Sequence, residues 1–212
     1  MRSRKYRTMN ESRYKDSFDF NGIFHVYTHV NGNELVFRED KNYIFFLEKM
    51  KLYLLPILEI YAYCLMQNHI HLLVAFKTGE AVAENLTIEA AEISGEKSHQ
   101  HLMKPFSNLL NSYAKAYNKM YGRRGALFLD YLKRIRIDDE NYLLNTFKYI
   151  HRNPVNHGFV RDLSEWKFSS YRSYLQPETA SAVTRDYMLK YFCSLDEFIE
   201  FHSDCEGNYQ TS

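Results

Sequence analysis

The stretch that most constrains the fold spans residues 61–76 and reads YAYCLMQNHIHLLVAF. Successive side chains of a β-strand point to opposite faces, so residues two apart share a face. In an extended conformation His69 and His71 therefore lie together, and the other face is purely apolar, formed by Ile70, Leu72, Val74 and Phe76. Neutral imidazole is the commonest side-chain metal ligand. The pattern indicates either half of a metal site or two ordinary histidines on a half-buried strand.

Composition indicates one domain, or one domain with appendages. The chain has 212 residues, of which 45% are hydrophobic, enough for a substantial core. The three cysteines, Cys64, Cys193 and Cys205, show no CxxC spacing, which argues against a disulfide framework and fits a reducing cytoplasm. The sequence contains no signal-peptide pattern and no apolar stretch long enough to span a bilayer. We therefore expect a cytoplasmic protein without a membrane partner.

The distribution of charge is more informative than the net charge of +1. Residues 103–174 hold 13 Lys or Arg against 6 Asp or Glu, a local charge of +7. Residues 78–96 hold five Glu and no Lys or Arg. A basic body is therefore masked in the total by an acidic segment, and such a body is compatible with a nucleic-acid partner.

Hydrophobic periodicity predicts the element order β-α-β-β-α-β-α. The predicted strands cover residues 22–28, 58–66, 69–76 and 126–137, and the predicted helices cover 39–54, 103–121 and 138–153. A tight link at Gln67-Asn68 pairs the second and third strands as an antiparallel hairpin. We predict an α+β ferredoxin-like sandwich, an antiparallel sheet with helices packed on it. The histidine strand is expected to be central, with the last helix folding onto its open face.

The chain divides into a main domain, residues 1–176, and a C-terminal helical tail, residues 177–212. Within the main domain we expect a flexible basic arm over 1–20 and an acidic inserted loop over 78–101, with a short helix around Leu86 to Ile93 as the alternative for part of the loop. The tail is predicted to carry helices over 184–192 and 195–202.

The last helix of the domain adds two candidate site residues. Tyr149 and Asn153 are four apart, so they lie on one helical face, which is expected to approach the histidines. Two imidazoles and one amide oxygen could hold a divalent cation with open positions, and mixed nitrogen and oxygen ligands favour Mg²⁺ or Mn²⁺. A tyrosine beside a cation that activates a phosphodiester is a candidate nucleophile, and its product would be a phosphotyrosine with a free 3′-hydroxyl.

Three segments together resemble a known family: QNHIHLLV, YGRRGALFLDYLKRIRID, and YIHRNPVNHGFV followed by WKFSSYRSYL. They are similar to the single-tyrosine HUH transposases, and most similar to the REP-associated tyrosine transposases. The resemblance covers residues 22–175. It implies metal-dependent cleavage of single-stranded DNA near a hairpin through a 5′-phosphotyrosine. His69 and His71 match the family's metal ligands, Tyr149 its nucleophile, and Asn153 the position of a further polar ligand.

The sequence departs from the family in its long acidic insert and in its tail. Phosphate contacts are expected from a group of basic residues: Arg123, Arg124, Lys133, Arg134, Arg136 and Arg152. Alternative nucleophiles are Tyr113 and Tyr117, which we interpret as core. His25 and His29 are interpreted as structural, with no shared site, because they are not two apart. His151 is expected to contact DNA or solvent.

Two alternative functions stay open at this point. One is a single-stranded nucleic-acid-binding module without chemistry, against which an intact His-His-Tyr set argues. The other is a metal-dependent hydrolase of small phosphoesters, against which the lack of an acidic pair argues. The sequence leaves open whether the chain forms a homodimer. A bacterial, nucleoid-associated location is expected from the resemblance.

Overall fold

A computed structural model describes residues 16–30, 34–89, 93, 95–128 and 132–203. The strands are β1 (Ile23–His29), β2 (Leu58–Leu65), β3 (His69–Phe76) and β4 (Lys133–Ile137). The helices are α1 (Asp40–Leu54), α2 (Gly79–Leu86), α3 (Ser98–Met120), α4 (Glu140–Asn156), α5 (Tyr171–Tyr174), α6 (Asp186–Leu189) and α7 (Leu195–Ser203). Short 3₁₀ turns occupy Gly95–Lys97 and Leu163–Glu165.

The four strands form one antiparallel sheet in the order β2-β3-β1-β4. The histidine strand β3 is central, paired with β2 on one side and with β1 on the other. With helices between the strands, this is the predicted ferredoxin-like arrangement, and the α+β prediction is confirmed.

Helices α1 and α3 cover the apolar face of β3. Ile70, Leu72, Val74 and Phe76 are all buried in one core cluster with apolar residues of these helices. α1 begins with a capping box in which Glu39 and Asn42 satisfy each other's backbone N–H groups. α3 contributes Phe106, Leu109, Tyr113 and Tyr117 to the same cluster. The apolar face therefore supplies the main core.

Helix α4 and the tail cover the opposite face of the sheet. Leu73 and Ala75 of β3 are buried there with Leu143, Phe147 and Ile150 of α4. The tail adds Val183, Met188 and Phe198 to this second cluster. The last helix of the domain lies across the histidine face, as expected, and the described part of the tail shares its core.

Parts of two segments that were expected to be irregular are ordered in the structure. Within the expected loop over 78–101, residues 79–86 form α2, capped by Thr78, and α3 already begins at Ser98. Val82 and Ala83 are buried, so packing of one apolar helical face outweighs the polar composition. Residues 1–15 of the expected arm lie outside the described residues. Phe18, however, is buried among aromatic rings of the main core, so it anchors the described end of this segment.

Three predicted boundaries also differ. Of the strand expected over 126–137, Lys133–Ile137 forms β4 and Phe128 makes an isolated bridge, while residues 129–131 lie outside the described residues. Helix α4 does not stop before Pro154 but continues to Asn156. Pro154 is buried in the last turn of α4, where its missing N–H removes a single intrahelical bond near the end of the helix, and Gly158 then turns the chain at φ 72°. The helix expected over 184–192 is limited to α6.

Candidate active site

Two neighbouring strands supply the histidines of the site. In the antiparallel pairing of β1 with β3, His29 is opposite His69 and Tyr27 is opposite His71. Directly opposite residues share a face of the sheet. The rings of His69 and His71 lie 5.1 Å apart between centroids, and the ring of Tyr27 stacks at 5.5 Å on that of His71.

Helix α4 brings Asn153 and Tyr149 to these histidines. The Asn153 Oδ1 atom lies 2.7 Å from Nε2 of His69, across 84 residues of sequence. The Tyr149 ring meets His71 edge-on, with centroids 5.4 Å apart. Asn153 is fully buried, whereas Tyr149 is partly exposed. The four residues that the sequence singled out are therefore adjacent, and Tyr149 is the most exposed of them.

Burial keeps the imidazoles of the site neutral at physiological pH. It lowers the pKa of His69 to about 4 and holds the pKa of His71 well below its usual range. It also lowers the pKa of His25 to about 3. A neutral imidazole keeps a lone pair for a cation, so these rings are in the ligating form.

The contacts of His69 fit a cation. Its Nδ1 atom lies 2.7 Å from Oδ1 of Asn68, and its Nε2 atom lies 2.7 Å from Oδ1 of Asn153. A neutral imidazole has one N–H, so only one of these oxygens can receive a hydrogen bond. When Nδ1 donates to Asn68, Nε2 and the Asn153 oxygen present lone pairs to each other, as two ligands of one metal ion do.

The amide of Asn153 is also incompletely satisfied. Its Nδ2 atom is buried and has no hydrogen-bond partner in the part of the chain that the structure describes. Over the same residues, no three His, Cys, Asp or Glu side chains are grouped to hold a metal ion. A cation at this site would therefore be held by His69, His71 and the Asn153 oxygen, together with ligands from outside the chain.

The interpretation of His25 and His29 as residues without a shared site was wrong. Residues four apart on a strand also share a face, so His25, Tyr27 and His29 all point toward the site. His25 Nε2 lies 3.0 Å from Nδ1 of His71, and the ring of His29 lies 5.2 Å from that of His69. The alternation of these residues along β1 is the signal that could have revealed them.

His157 is another site residue that the sequence analysis missed. It caps the C-terminus of α4, and its exposed ring lies 5.1 Å from that of His69. The helix extends past Pro154, and this extra length places His157 beside the site. The predicted helix ended at Asn153, so the sequence analysis did not place His157 near the site.

The alternative nucleophiles lie in the main core, on the opposite face of the sheet. Tyr113 and Tyr117 are both buried, and their hydroxyls donate 2.5 Å hydrogen bonds to the carbonyls of Val36 and Leu35. Burial raises the pKa of both phenols. Their contacts are those of core residues, as interpreted from the sequence.

His151 is enclosed in the protein interior and not on the surface, so the expectation that it faces DNA or solvent was wrong. Its side chain is fully buried, with Nδ1 2.9 Å from Nε2 of His202 and Nε2 2.8 Å from Oγ of Ser170. His202 in turn bonds the carbonyl of Phe198 within α7. The tail is thus joined to α4 by a series of buried hydrogen bonds through His151 and His202. The sequence of the domain alone does not indicate these contacts.

Four of the expected phosphate-binding arginines have partners within the protein. Arg123 pairs with Glu34 at 2.6 Å, and Arg134 donates to the Asp16 carbonyl at 2.5 Å. The remaining two arginines have partners as well, since Arg136 pairs with Asp19 and Asp138 and Arg152 donates to the His202 carbonyl. These contacts give each guanidinium a structural role, and phosphate binding by them stays a prediction.

Two further basic residues differ in where they lie. Lys133 pairs with Tyr27 across β1 and β4, and its ammonium lies 5.5 Å from the Tyr27 ring. Burial is the largest cause that lowers the pKa of His29, and the positive charge of Lys133 is the next. Arg124 is exposed in the turn after α3. Lys133 is thus the predicted phosphate contact that the fold places beside the histidines.

Comparison with known proteins supports the family that the sequence resembles. A protein of Haemophilus influenzae named REP-associated tyrosine transposase is 28% identical over 123 residues. That match covers 57% of this chain and 62% of the relative. The chain therefore matches somewhat less than two thirds of the length of this relative. No family model matches the chain.

A solved structure has the same fold. It shows a REP-associated tyrosine transposase bound to a REP hairpin, and it is 16% identical to this chain with a TM-score of 0.55. The superposition covers 80% of this chain and 88% of the other. Among the described residues, no helix has the length and apolar character needed to cross a membrane.

Proposed function

We propose that this chain is a transposase-type enzyme that cleaves and rejoins single-stranded DNA through a covalent bond to Tyr149. The observation that carries the proposal is the arrangement of side chains where α4 lies against β3. Two neutral imidazoles of β3 meet an amide oxygen and a partly exposed tyrosine of α4 there, and 84 residues separate His69 from Asn153. The similarity to REP-associated tyrosine transposases supports the same reaction class.

The reaction is a transfer of a phosphodiester to the phenol. The Tyr149 oxygen attacks the phosphorus, the bond from phosphorus to the 3′-oxygen breaks, and the 3′-oxygen takes up a proton to leave as a hydroxyl. The phenolic proton passes to solvent. The ester bond is conserved as a 5′-phosphotyrosine, so a second 3′-hydroxyl can reverse the step or join another strand without ATP.

His69, His71 and Asn153 are the proposed holders of a divalent cation, Mg²⁺ or Mn²⁺. Such an ion would polarise the phosphoryl oxygens and stabilise the charge that develops on them. Phenol has a pKa of about 10 and is a weak nucleophile unless its electrophile is activated. The position of Tyr149 on a packed helix restricts its approach to one face of the site.

We infer that the substrate is single-stranded DNA that carries a hairpin. The neighbouring solved structure was determined with a REP hairpin, which supports a DNA of this shape. Lys133, beside the histidines, is the favoured phosphate contact, because a basic side chain there can neutralise a backbone phosphate. A homodimer and a nucleoid-associated location in the cytoplasm stay predictions.

A denaturing gel tests the proposal. The purified protein is mixed with Mn²⁺ and labelled single-stranded DNA containing hairpins from its own genomic flank. We expect a protease-sensitive shifted band with the wild type and none with Tyr149→Phe, which removes only the phenolic oxygen. Tyr113→Phe is the matched control, because its hydroxyl lies in the core, and it should form the adduct. Tight hairpin binding without any adduct would instead indicate a non-catalytic binding module.

A further inference from the structure

His25 is buried beside His71, one of the proposed metal ligands. It is 6% exposed, and its Nε2 atom is 3.0 Å from Nδ1 of His71. The two rings are nearly parallel, with centroids 5.2 Å apart. Tyr27 stacks on both rings, at 4.9 Å from His25 and 5.5 Å from His71. The orientation of the His71 ring is therefore held by the hydrogen bond to His25, by stacking on Tyr27 and by the edge-on contact with Tyr149.

The hydrogen bond can take two forms, and they differ at the far side of His71. If His71 Nδ1 carries the proton and donates it to His25, then His71 Nε2 has a lone pair. If His25 Nε2 is the donor, the proton of neutral His71 must be on its own Nε2, which then cannot bind a cation. The state of His25 thus decides whether the Nε2 atom of His71 is a ligand.

We propose that His25 is a positioning residue that holds His71 in its Nδ1–H tautomer, with Nε2 available to a divalent cation. The inference rests on the proposed function, since it assigns His71 as a ligand. Partners that accept the second N–H of a metal-bound histidine fix its tautomer and orientation, and their loss typically lowers metal affinity about 10- to 100-fold. Here the acceptor is a second imidazole on the neighbouring strand.

The test compares two replacements of His25 by their Mn²⁺ affinity, measured by calorimetry without DNA. His25→Gln can present an amide oxygen to the His71 N–H, whereas His25→Phe keeps a ring and removes the acceptor. We expect Mn²⁺ binding to weaken about 10- to 100-fold in His25→Phe and only a few-fold in His25→Gln. His99→Gln is the matched control, because His99 accepts from the Phe18 N–H on the other side of the sheet.

Three results would overturn the inference. The first is wild-type affinity in a folded His25→Phe protein, and the second is equal weakening in His25→Gln and His25→Phe. The third is a wild type that binds no Mn²⁺, which would also contradict the metal site of the proposed function. Loss of binding in His69→Ala but not in His25→Phe would overturn the role of His25 alone.

A measurement on the unmodified protein covers the case in which His25→Phe does not fold. Long-range proton–nitrogen NMR spectra distinguish a protonated imidazole nitrogen from a bare or metal-bound one. With diamagnetic Zn²⁺ as the probe, we expect the proton of His71 on Nδ1 and a bare Nε2 on His25. A proton on Nε2 of His25 would overturn the inference.

Discussion

At the scale of single residues, Asn153 is a buried side chain whose hydrogen bonds are incomplete within the described residues. Its oxygen faces His69, and its Nδ2 atom is buried without a partner in the described residues. An unsatisfied buried polar group costs about 1–3 kcal/mol. Such local costs are concentrated at functional sites, where the structure around them is rigid enough to hold the arrangement.

Replacing Asn153 by leucine separates stability from metal binding. Leucine keeps the branched outline of asparagine without its polar atoms but is bulkier, so relief of the unsatisfied amide opposes an overpacking cost, each about 1–3 kcal/mol. We therefore expect the stability of Asn153→Leu without metal to lie within about 2 kcal/mol of the wild type. We also expect the stabilisation by Mn²⁺ to fall by about 1.4 kcal/mol for each tenfold loss of affinity. Thermal unfolding with Mn²⁺ and with a chelator measures both effects.

The control for this replacement is Asn145→Leu, an exposed position on the same helix. It should leave the response to Mn²⁺ unchanged. A full Mn²⁺ response in Asn153→Leu would contradict the assignment of its oxygen as a ligand.

At the scale of elements, α4 is held by the tail as well as by the sheet. Phe198 of α7 is fully buried, and its ring lies within 6.1 Å of Phe147 and 5.3 Å of Tyr174 between centroids. Arg152 of α4 donates to the last carbonyls of α7. The helix that carries Tyr149 is thus fixed on two sides.

Truncation of Phe198 tests how much this packing contributes. We expect Phe198→Ala to lower the free energy of unfolding by about 3–5 kcal/mol, because it leaves a cavity in the second core. The neighbouring Ile199 is 36% exposed, so Ile199→Ala should cost far less. Urea denaturation of both variants measures the difference. Equal losses would show that α7 does not pack on α4 as described.

The elements also show what the sequence could reveal. Two-residue alternation in β3 and helical spacing in α3 were strong signals, because each reflects burial of one face. Helix α2 was missed because its polar composition resembles a loop, although Thr78, a favoured N-cap residue, was visible in the sequence. The end of α4 was misplaced because the rule for proline describes an isolated helix, and tertiary packing overrides it.

The candidate site was predictable only in part for a related reason. His69, His71, Tyr149 and Asn153 could be grouped because each pair lies on a single element with a known period. His25 contacts His71 through strand pairing, and its register cannot be derived from one strand alone. The partners of Arg123, Arg134 and Arg136 are likewise long-range contacts, which spacing along the chain does not encode.

At the scale of the whole molecule, buried neutral histidines make stability depend on pH. Burial lowers the pKa of His25 and of His202 to about 3 and that of His69 to about 4. The unfolded chain binds protons near the ordinary histidine pKa of 6.5, whereas the folded protein does not. Stability is therefore complete above about pH 6.5, declines as the pH falls below it, and stops declining below the folded pKa values.

Urea denaturation in the presence of a chelator, between pH 7 and 5, measures this dependence. This pH range lies above the pKa of most carboxylates. We expect the free energy of unfolding to fall toward a slope of about 1.4 kcal/mol per pH unit for each such histidine. Between pH 7 and 8 it should be nearly constant with respect to these groups. A flat profile from pH 6.5 to 5 would contradict the burial of neutral imidazoles.

The most direct test of the central claim is to locate the DNA on the protein. After reaction with hairpin DNA and Mn²⁺, nuclease and trypsin digestion should leave nucleotides on the peptide Tyr149–Arg152, which cleavage after Lys148 and Arg152 releases. Mass spectrometry is expected to place the phosphate on Tyr149, joined to a 5′ end. A phosphate on Tyr113, on Tyr117 or on a residue of another peptide would contradict the assignment of the active site.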